Sequence, residues 1–472
     1  MIEYYACCGE IIAILGINAY ICSTVKMKTT KTNDLSMRVN KISFKGFRGI
    51  KDQEFELSPN QTTVLIGENG SGKSSVLECL TILLSQFFAI LTNSKRGQKL
   101  SFIDTDITEG AKETEVTIEV DVVRRNIFWG IKRDRFKHKS ALLNKKNIEH
   151  FAKNYIDAIR ESPGVKGIHL PTTSDLLKNL PVAIFYPTNR QLNKVSFKFD
   201  TDTIYFIPQF IALENAFDHS LDFNQFFNWF RERQEDENEK RLNEDETYRD
   251  SKLSAVRVAI ESFVPDFANL RIKRINGSVH MVVSKQNTEL LVDQLSHGEK
   301  NLIAMVGDIA LRLAFANPEL DNPLAGKGVV LIDEIELHLH PKWQRQMIPR
   351  LEKTFPNCQF IIATHSPQVV SHARRGSVFL IENGEIYPIE NSYGRDSNWI
   401  LETIMDAPER PENIQKQLRR YFMLIDENKL TEAGNLRTQI ENLIGTDEPE
   451  LTKADILIHR KKLLANEKNH KK

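Results

Sequence analysis

Residues 67–74 read Gly67-Glu68-Asn69-Gly70-Ser71-Gly72-Lys73-Ser74, a complete GxxxxGK[ST] pattern. An apolar run, Thr63-Val64-Leu65-Ile66, leads into it, and another, Val76-Leu77-Glu78-Cys79-Leu80, leaves it. The pattern thus sits where a buried strand turns into a helix, the context in which such a loop binds phosphate. Glycines let successive backbone N–H groups turn inward around phosphate oxygens, and the following helix adds its positive end. The candidate phosphate-binding residues are Asn69, Gly70, Ser71, Gly72, Lys73, Ser74 and Ser75. Lys73 reads as a point charge for the β- and γ-phosphates and Ser74 as a hydroxyl ligand of Mg2+, so ATP and Mg2+ are the expected cofactors. A glycine-rich surface turn would leave Lys73-Ser74 and the flanking strand unexplained.

Far downstream, Val329-Val330-Leu331-Ile332-Asp333-Glu334 reads as a strand buried on both faces and ending in two carboxylates. Asp333 is the candidate metal ligand together with Ser74. Glu334 is the candidate general base for an attacking water. An acidic pair at a strand end says little alone; the phosphate loop upstream gives it meaning. A third apolar strand, Phe360-Ile361-Ile362-Ala363, ends in Thr364-His365-Ser366 and makes His365 a second candidate catalytic residue. Between these lies Gln294-Leu295-Ser296-His297-Gly298-Glu299-Lys300. Ser and Gly before a helix form an anion site. The same residues also spell a capping box, with Glu299 at the third helical position.

Several of these pieces resemble the ABC ATPase superfamily. Leu295-Ser296-His297-Gly298-Glu299 resembles its LSGGE-type signature, with His297 in place of one glycine. The resemblance implies that Ser296 and Gly298, with Glu299 beside them, contact a γ-phosphate held by the other subunit. Glu336-Leu337-His338-Leu339-His340-Pro341 is similar to the D-loop region, and its LHLHP phrase is typical of the branch related to SMC and RecF proteins and OLD nucleases. His365 matches the switch histidine that senses the γ-phosphate. Ser43-Phe44-Lys45-Gly46-Phe47-Arg48-Gly49-Ile50 resembles the opening of the same branch and implies that Arg48 lies over the phosphates. The segment from Val182 to Tyr186, continuing Pro187-Thr188-Asn189-Arg190-Gln191, occupies the place of the Q-loop; either Asn189 or Gln191 fits its role.

The resemblance covers residues 37–390 and implies an α/β fold: a P-loop ABC-type ATPase head with a β-lobe, a short helical insertion and a helical C-terminal tail. The expected organisation is a dispensable extension over 1–36, a first lobe over 37–208, a helical insertion over 209–290, a second lobe over 291–391 and a partner-docking region over 392–472. Within the branch, the LHLHP run, the short insertion and the tail Tyr393-Gly394-Arg395-Asp396-Ser397-Asn398 with Pro408-Glu409-Arg410-Pro411 resemble the PtuA-type ATPases of Septu antiphage and some retron systems. Those ATPases are encoded beside an HNH nuclease. The resemblance implies a homodimer or higher homo-oligomer that closes around ATP and regulates an HNH nuclease subunit, with nucleic acid reached through the complex. The rival expectation is a DNA-repair ATPase of RecF or OLD type that binds DNA directly. A third is an ATP-sensing scaffold with negligible turnover.

Bulk properties fit this reading. The chain has 472 residues, 41% hydrophobic and 27% charged, ordinary for a globular protein of one to three domains. Lys+Arg and Asp+Glu both number 63, so any nucleic-acid contact must come from a local patch. One such tract runs over 124–146, with nine Lys/Arg against Asp134 and with Phe128, Trp129 and Phe136 interleaved; a solvated hairpin and loop is the favoured reading of it, nucleic-acid contact the alternative. Five cysteines without metal or disulfide spacing suit a reduced cytoplasm. Residues 10–25 are mostly apolar, yet too short for a confident membrane span and without signal-peptide flanks. Dispensable sequence upstream of the natural start is the favoured reading of 1–36; a membrane or partner anchor and an extra packed helix are the alternatives.

Overall fold

The computed structural model describes residues 37–58, 60–92, 99–122, 125–160, 180–188, 208–217, 223–264 and 266–470. The expectations for residues 1–36 and for Asn189 and Gln191 lie outside them. Strands β1 (Met37–Lys45), β2 (Gln53–Glu56) and β3 (Thr62–Ile66) precede the helix Lys73–Leu91. Strands β4 (Glu113–Val122), β5 (Arg125–Asp134) and β6 (Lys139–Leu143) follow, then β7 (Val182–Tyr186). After the helices Phe223–Asn243 and Ser251–Phe263 come β8 (Phe267–Ile275), β9 (Ser278–Lys285) and β10 (Thr288–Leu291), then the helix His297–Ala316. Strands β11 (Gly328–Ile332), β12 (Cys358–Ala363), β13 (Val378–Glu382) and β14 (Glu385–Ile389) complete the sheets.

The central sheet runs β14-β13-β3-β12-β11-β7 and is parallel except for β14. Every residue of β3, β7, β11 and β12 is buried, as unbroken apolar runs require when helices cover both faces. A second, antiparallel sheet, β2-β1-β4-β5-β6, forms the β-lobe. Its β4 alternates strictly between buried and half-buried positions, matching its period-two sequence. The lobe packs on the helix Lys73–Leu91 through Trp129, which is fully buried and donates its indole N–H to the Leu83 carbonyl at 2.8 Å. That helix is long and apolar enough to cross a membrane by composition, but most of its side chains are in this core.

Two regions differ from the sequence reading. The stretch 37–66, whose sequence reads as two strands around a loop, holds three strands, because β2 is a four-residue edge strand with only Phe55 buried. Within 209–290 the helices end at Phe263, and β8, β9 and β10 form a separate antiparallel sheet. Its turns rest on left-handed residues, Asn276-Gly277 and Gln286-Asn287, which tight hairpins require. The main core runs on past residue 391 through Ile400 and Ile404. The helices Glu412–Asp426, Leu430–Ile444 and Pro449–His470 bury a core of their own, including Ile414, Leu418, Tyr421, Ile425, Ile440 and Leu451.

Candidate nucleotide-binding site

Four parallel strands end together. Their registers set Leu65 beside Ala363, Ile362 beside Ile332, and Ile332 beside Tyr186. The residues that follow, including Gly67, Thr188, Asp333 and His365, therefore share one carboxyl edge, where open α/β sheets bind ligands.

The phosphate loop needs its glycines for different reasons. Gly67 has φ 150°, and a Cβ there would lie 2.3 Å from the Ile381 carbonyl oxygen. Gly72 has φ 110° and begins the helix Lys73–Leu91 without a capping side chain. The helix's first N–H groups therefore lack a local side-chain acceptor. Asn69 and Gly70 are exposed at the loop tip, and Ser74 and Ser75 are half-buried in the first helical turn. The Ser71 hydroxyl is buried with no hydrogen-bond partner among the described residues. An orphaned hydroxyl beside glycine-turned amides fits a triphosphate, whose oxygens would accept from it.

Lys73 is 4% exposed, and its Nζ donates to the carbonyls of Gly67 and Glu68 at 2.9 and 2.7 Å. Burial lowers its pKa from the usual lysine value, against the opposing pull of Asp333, Glu334 and Glu336. Asp333 is buried at the end of β11; its N–H donates to the Tyr186 carbonyl at 2.8 Å, and its Oδ2 accepts from Thr188 Oγ1 at 2.9 Å. Glu334 takes a left-handed conformation, φ 44°, an uncommon backbone state for a residue with a side chain. Glu336 accepts from Thr364 Oγ1 at 2.7 Å and from the His365 N–H at 2.5 Å, tying the loop after β11 to the end of β12. His365 is half-buried. Burial, then the charge of Lys73, holds its pKa below the ordinary histidine value, while Glu336, Glu334 and Asp333 oppose the shift. Lys73, the three carboxylates and His365 thus lie within electrostatic reach of one another.

The signature residues are arranged differently. Ser296 caps the helix His297–Ala316 in a full capping box, accepting from the Glu299 N–H at 3.3 Å while Glu299 Oε2 accepts from the Ser296 N–H at 3.0 Å and from its hydroxyl at 2.8 Å. Lys285 donates to the other carboxylate oxygen of Glu299 at 2.6 Å. Ser296 and His297 are exposed. Gly298 is buried, and a Cβ there would lie 2.3 Å from the His338 carbonyl oxygen, so the helix start packs directly on the LHLHP loop.

Arg48 stands in a left-handed turn, φ 43°. Its guanidinium holds Asp106 Oδ1 at 2.7 Å and also pairs with Glu78, further along the phosphate-loop helix. The sequence reading quoted Thr188 and Glu336 within the Q-loop and D-loop stretches but gave neither a role. Glu336 stood in plain view two residues past the Asp-Glu pair. Thr188 gave no signal, because only the parallel register of β7 and β11 brings it to Asp333.

The family described as "AAA domain, putative AbiEii toxin, Type IV TA system" matches residues 62–371, well over half of the chain. The "Retron Vc95 probable ATPase" of Vibrio cholerae serotype O1 biovar El Tor is 29% identical over 450 residues, covering 83% of this chain and 84% of that protein. The "Retron Ec83 probable ATPase" of Escherichia coli is 29% identical over 493 residues, covering 90% and 87%. The "Septu protein PtuA" of Bacillus mycoides (strain KBAB4) is 25% identical over 354 residues, covering 74% of this chain and 41% of that longer protein. The chain belongs to the family described as "AAA domain, putative AbiEii toxin, Type IV TA system", and it is a P-loop ATPase.

Proposed function

We propose that this chain is the ATP-hydrolysing subunit of an antiphage defence complex, that two protomers close around ATP, and that closure regulates a partner HNH nuclease. One observation carries the dimer: Lys73, Asp333, Glu334 and His365 gather at one sheet edge, while Ser296 faces solvent at a separate, self-capped helix start. In this reading a γ-phosphate bound at the first group meets Ser296 and Gly298 of a second protomer. The retron and Septu relatives support the defence role and, through the PtuA resemblance, the nuclease partner.

In this reading the triphosphate oxygens replace the Gly67 and Glu68 carbonyls at Lys73 Nζ. Ser74 and Asp333 would hold Mg2+, which supplies charge neutralisation at the β- and γ-phosphate oxygens. Thr188 fixes the Asp333 carboxylate through its hydrogen bond. Glu334 accepts a proton from the water whose oxygen attacks the γ-phosphorus, and the bond to the β–γ bridging oxygen breaks, releasing ADP. His365, held neutral, donates a hydrogen bond to the γ-phosphate. Glu336 braces the His365 backbone at that position. Arg48, matched by Asp106 and Glu78, couples the β-lobe to the phosphate-loop helix and reaches phosphate only by exchanging one of these carboxylates.

The test is to co-express the chain with the products of its neighbouring genes, among which an HNH protein is expected, purify on a tag carried by the chain, and assay nuclease activity with and without ATP. The expected result is copurification and an ATP-dependent change in cleavage. Absence of the HNH protein from the purified material, or cleavage indifferent to ATP, contradicts the proposal.

A further inference from the structure

Residues 338–350 and 365–376 carry nine basic or imidazole side chains between them, His338, His340, Lys342, Arg345, Arg350, His365, His372, Arg374 and Arg375, and no carboxylate. The fold brings the two segments together around a cleft of about 650 Å3. Its walls include His340, Lys342, Arg345, Gln346, Arg350 and His372, with no carboxylate. In a chain with 63 basic and 63 acidic residues, such a one-signed surface is a local concentration of charge.

The cations divide by what already holds them. Arg350 is fixed: its guanidinium lies 4.9 Å from the centre of the Trp343 ring and donates to the Phe263 carbonyl at 2.6 Å. Arg374 and Arg375 pair with Glu352 and Glu390. Lys342 and Arg345 are exposed and make no ion pair among the described residues. The basic tract singled out in the sequence behaves otherwise. Lys132 pairs with Glu113 and Glu115, Arg133 pairs with Asp104, and Arg135 donates to the Ile107 and Thr108 carbonyls. Trp129 there is core.

We propose that this cleft binds the phosphodiester backbone of a nucleic acid. A small anion calls for converging, buried donors. Exposed cations spread along an open cleft suit a polymer that meets them one phosphate at a time and releases counterions as it does so. An arginine fork can grip a phosphate through two N–H groups, and lysine adds a point charge. The cleft's two segments continue the loops that carry Glu334 and His365, so its occupant lies on the same loops as the ATP site. This goes beyond the ATPase reading and stands whether or not a nuclease partner binds.

The test is fluorescence anisotropy of labelled single-stranded DNA and RNA oligonucleotides with the full chain over a salt series. Lys342→Glu/Arg345→Glu is compared with Lys137→Glu/Lys139→Glu, an exposed pair in the hairpin, and ATP binding by each variant serves as the folding control. The cleft variant is expected to bind at least about tenfold more weakly at low salt, with the slope of log K against log salt reduced by about 1.4, or about 0.7 per lost single-strand contact. The hairpin variant is expected to stay near the parent. The proposal is overturned by equal affinity of cleft variant and parent, by an equal loss in the hairpin variant, by absence of salt-sensitive binding in the parent, or by polyglutamate competing as well as unlabelled oligonucleotide.

Discussion

Two helices in this molecule begin on serine and glycine, and they are finished in different ways. The helix Lys73–Leu91 starts on Gly72 in a left-handed conformation with no capping side chain, and buried Lys73 feels Asp333, Glu334 and Glu336. The helix His297–Ala316 closes its own first turn through Ser296 and Glu299, with Lys285 bracing the carboxylate. One start has no capping side chain of its own; the other is capped by its own residues and its serine is exposed. A self-capped start can present a hydroxyl and a helix end to a ligand held elsewhere while remaining stable alone. This is the design required when the ligand belongs to the other protomer.

The largest expected effect breaks the first start. Lys73→Ala removes a charged hydrogen bond to phosphate, and titration calorimetry should record a loss of ATP affinity of about a hundredfold. Parent-like affinity would remove the phosphate loop from the site. Next comes Glu334→Gln, which keeps ATP binding and slows steady-state turnover by about 10² to 10⁴ if Glu334 is the general base; undiminished turnover would assign the base elsewhere. The comparison is sharpened by Ser296→Asp. Aspartate can cap the helix as serine does, but it loses the donation to Glu299 Oε2 and sets a second carboxylate beside it, so a small drop in melting temperature is expected. The new charge would face the γ-phosphate of the neighbouring protomer, so turnover should fall at least about tenfold with ATP affinity of the isolated chain unchanged. A drop in melting temperature matching the loss of turnover would reduce Ser296 to a cap.

The smallest effect concerns pH. His365 has a depressed pKa, so between that value and the ordinary 6.5 the folded chain binds fewer protons than the unfolded one. Stability is therefore expected to fall as pH drops below about 6.5, and His365→Gln should flatten that part of the curve in denaturant titrations. An identical slope in the variant would mean that another group sets it.

Much of the head was legible because its chemistry is local. The phosphate loop, the buried strands ending at Asp333 and His365, and the alternation of β4 are each written within ten residues or fewer. What escaped reading depends on partners distant in sequence. Thr188 reaches Asp333 only through the sheet register, and Gly298 is glycine because the His338 carbonyl lies against it. The sheet β8-β9-β10 was hidden because most of its residues are half-buried or exposed and its apolar runs are no longer than three residues. The basic tract around Phe128 looked like a binding surface in sequence, yet several of its cations are occupied by nearby carboxylates and carbonyls.

The central claim is that ATP is shared between two protomers. Sedimentation equilibrium of the Glu334→Gln chain with and without ATP tests it most directly. The account predicts that the added nucleotide doubles the protomer mass or builds higher even-numbered assemblies, and that Ser296→Asp in the same background abolishes the change. An assembly state indifferent to ATP, or one that survives Ser296→Asp, would contradict it.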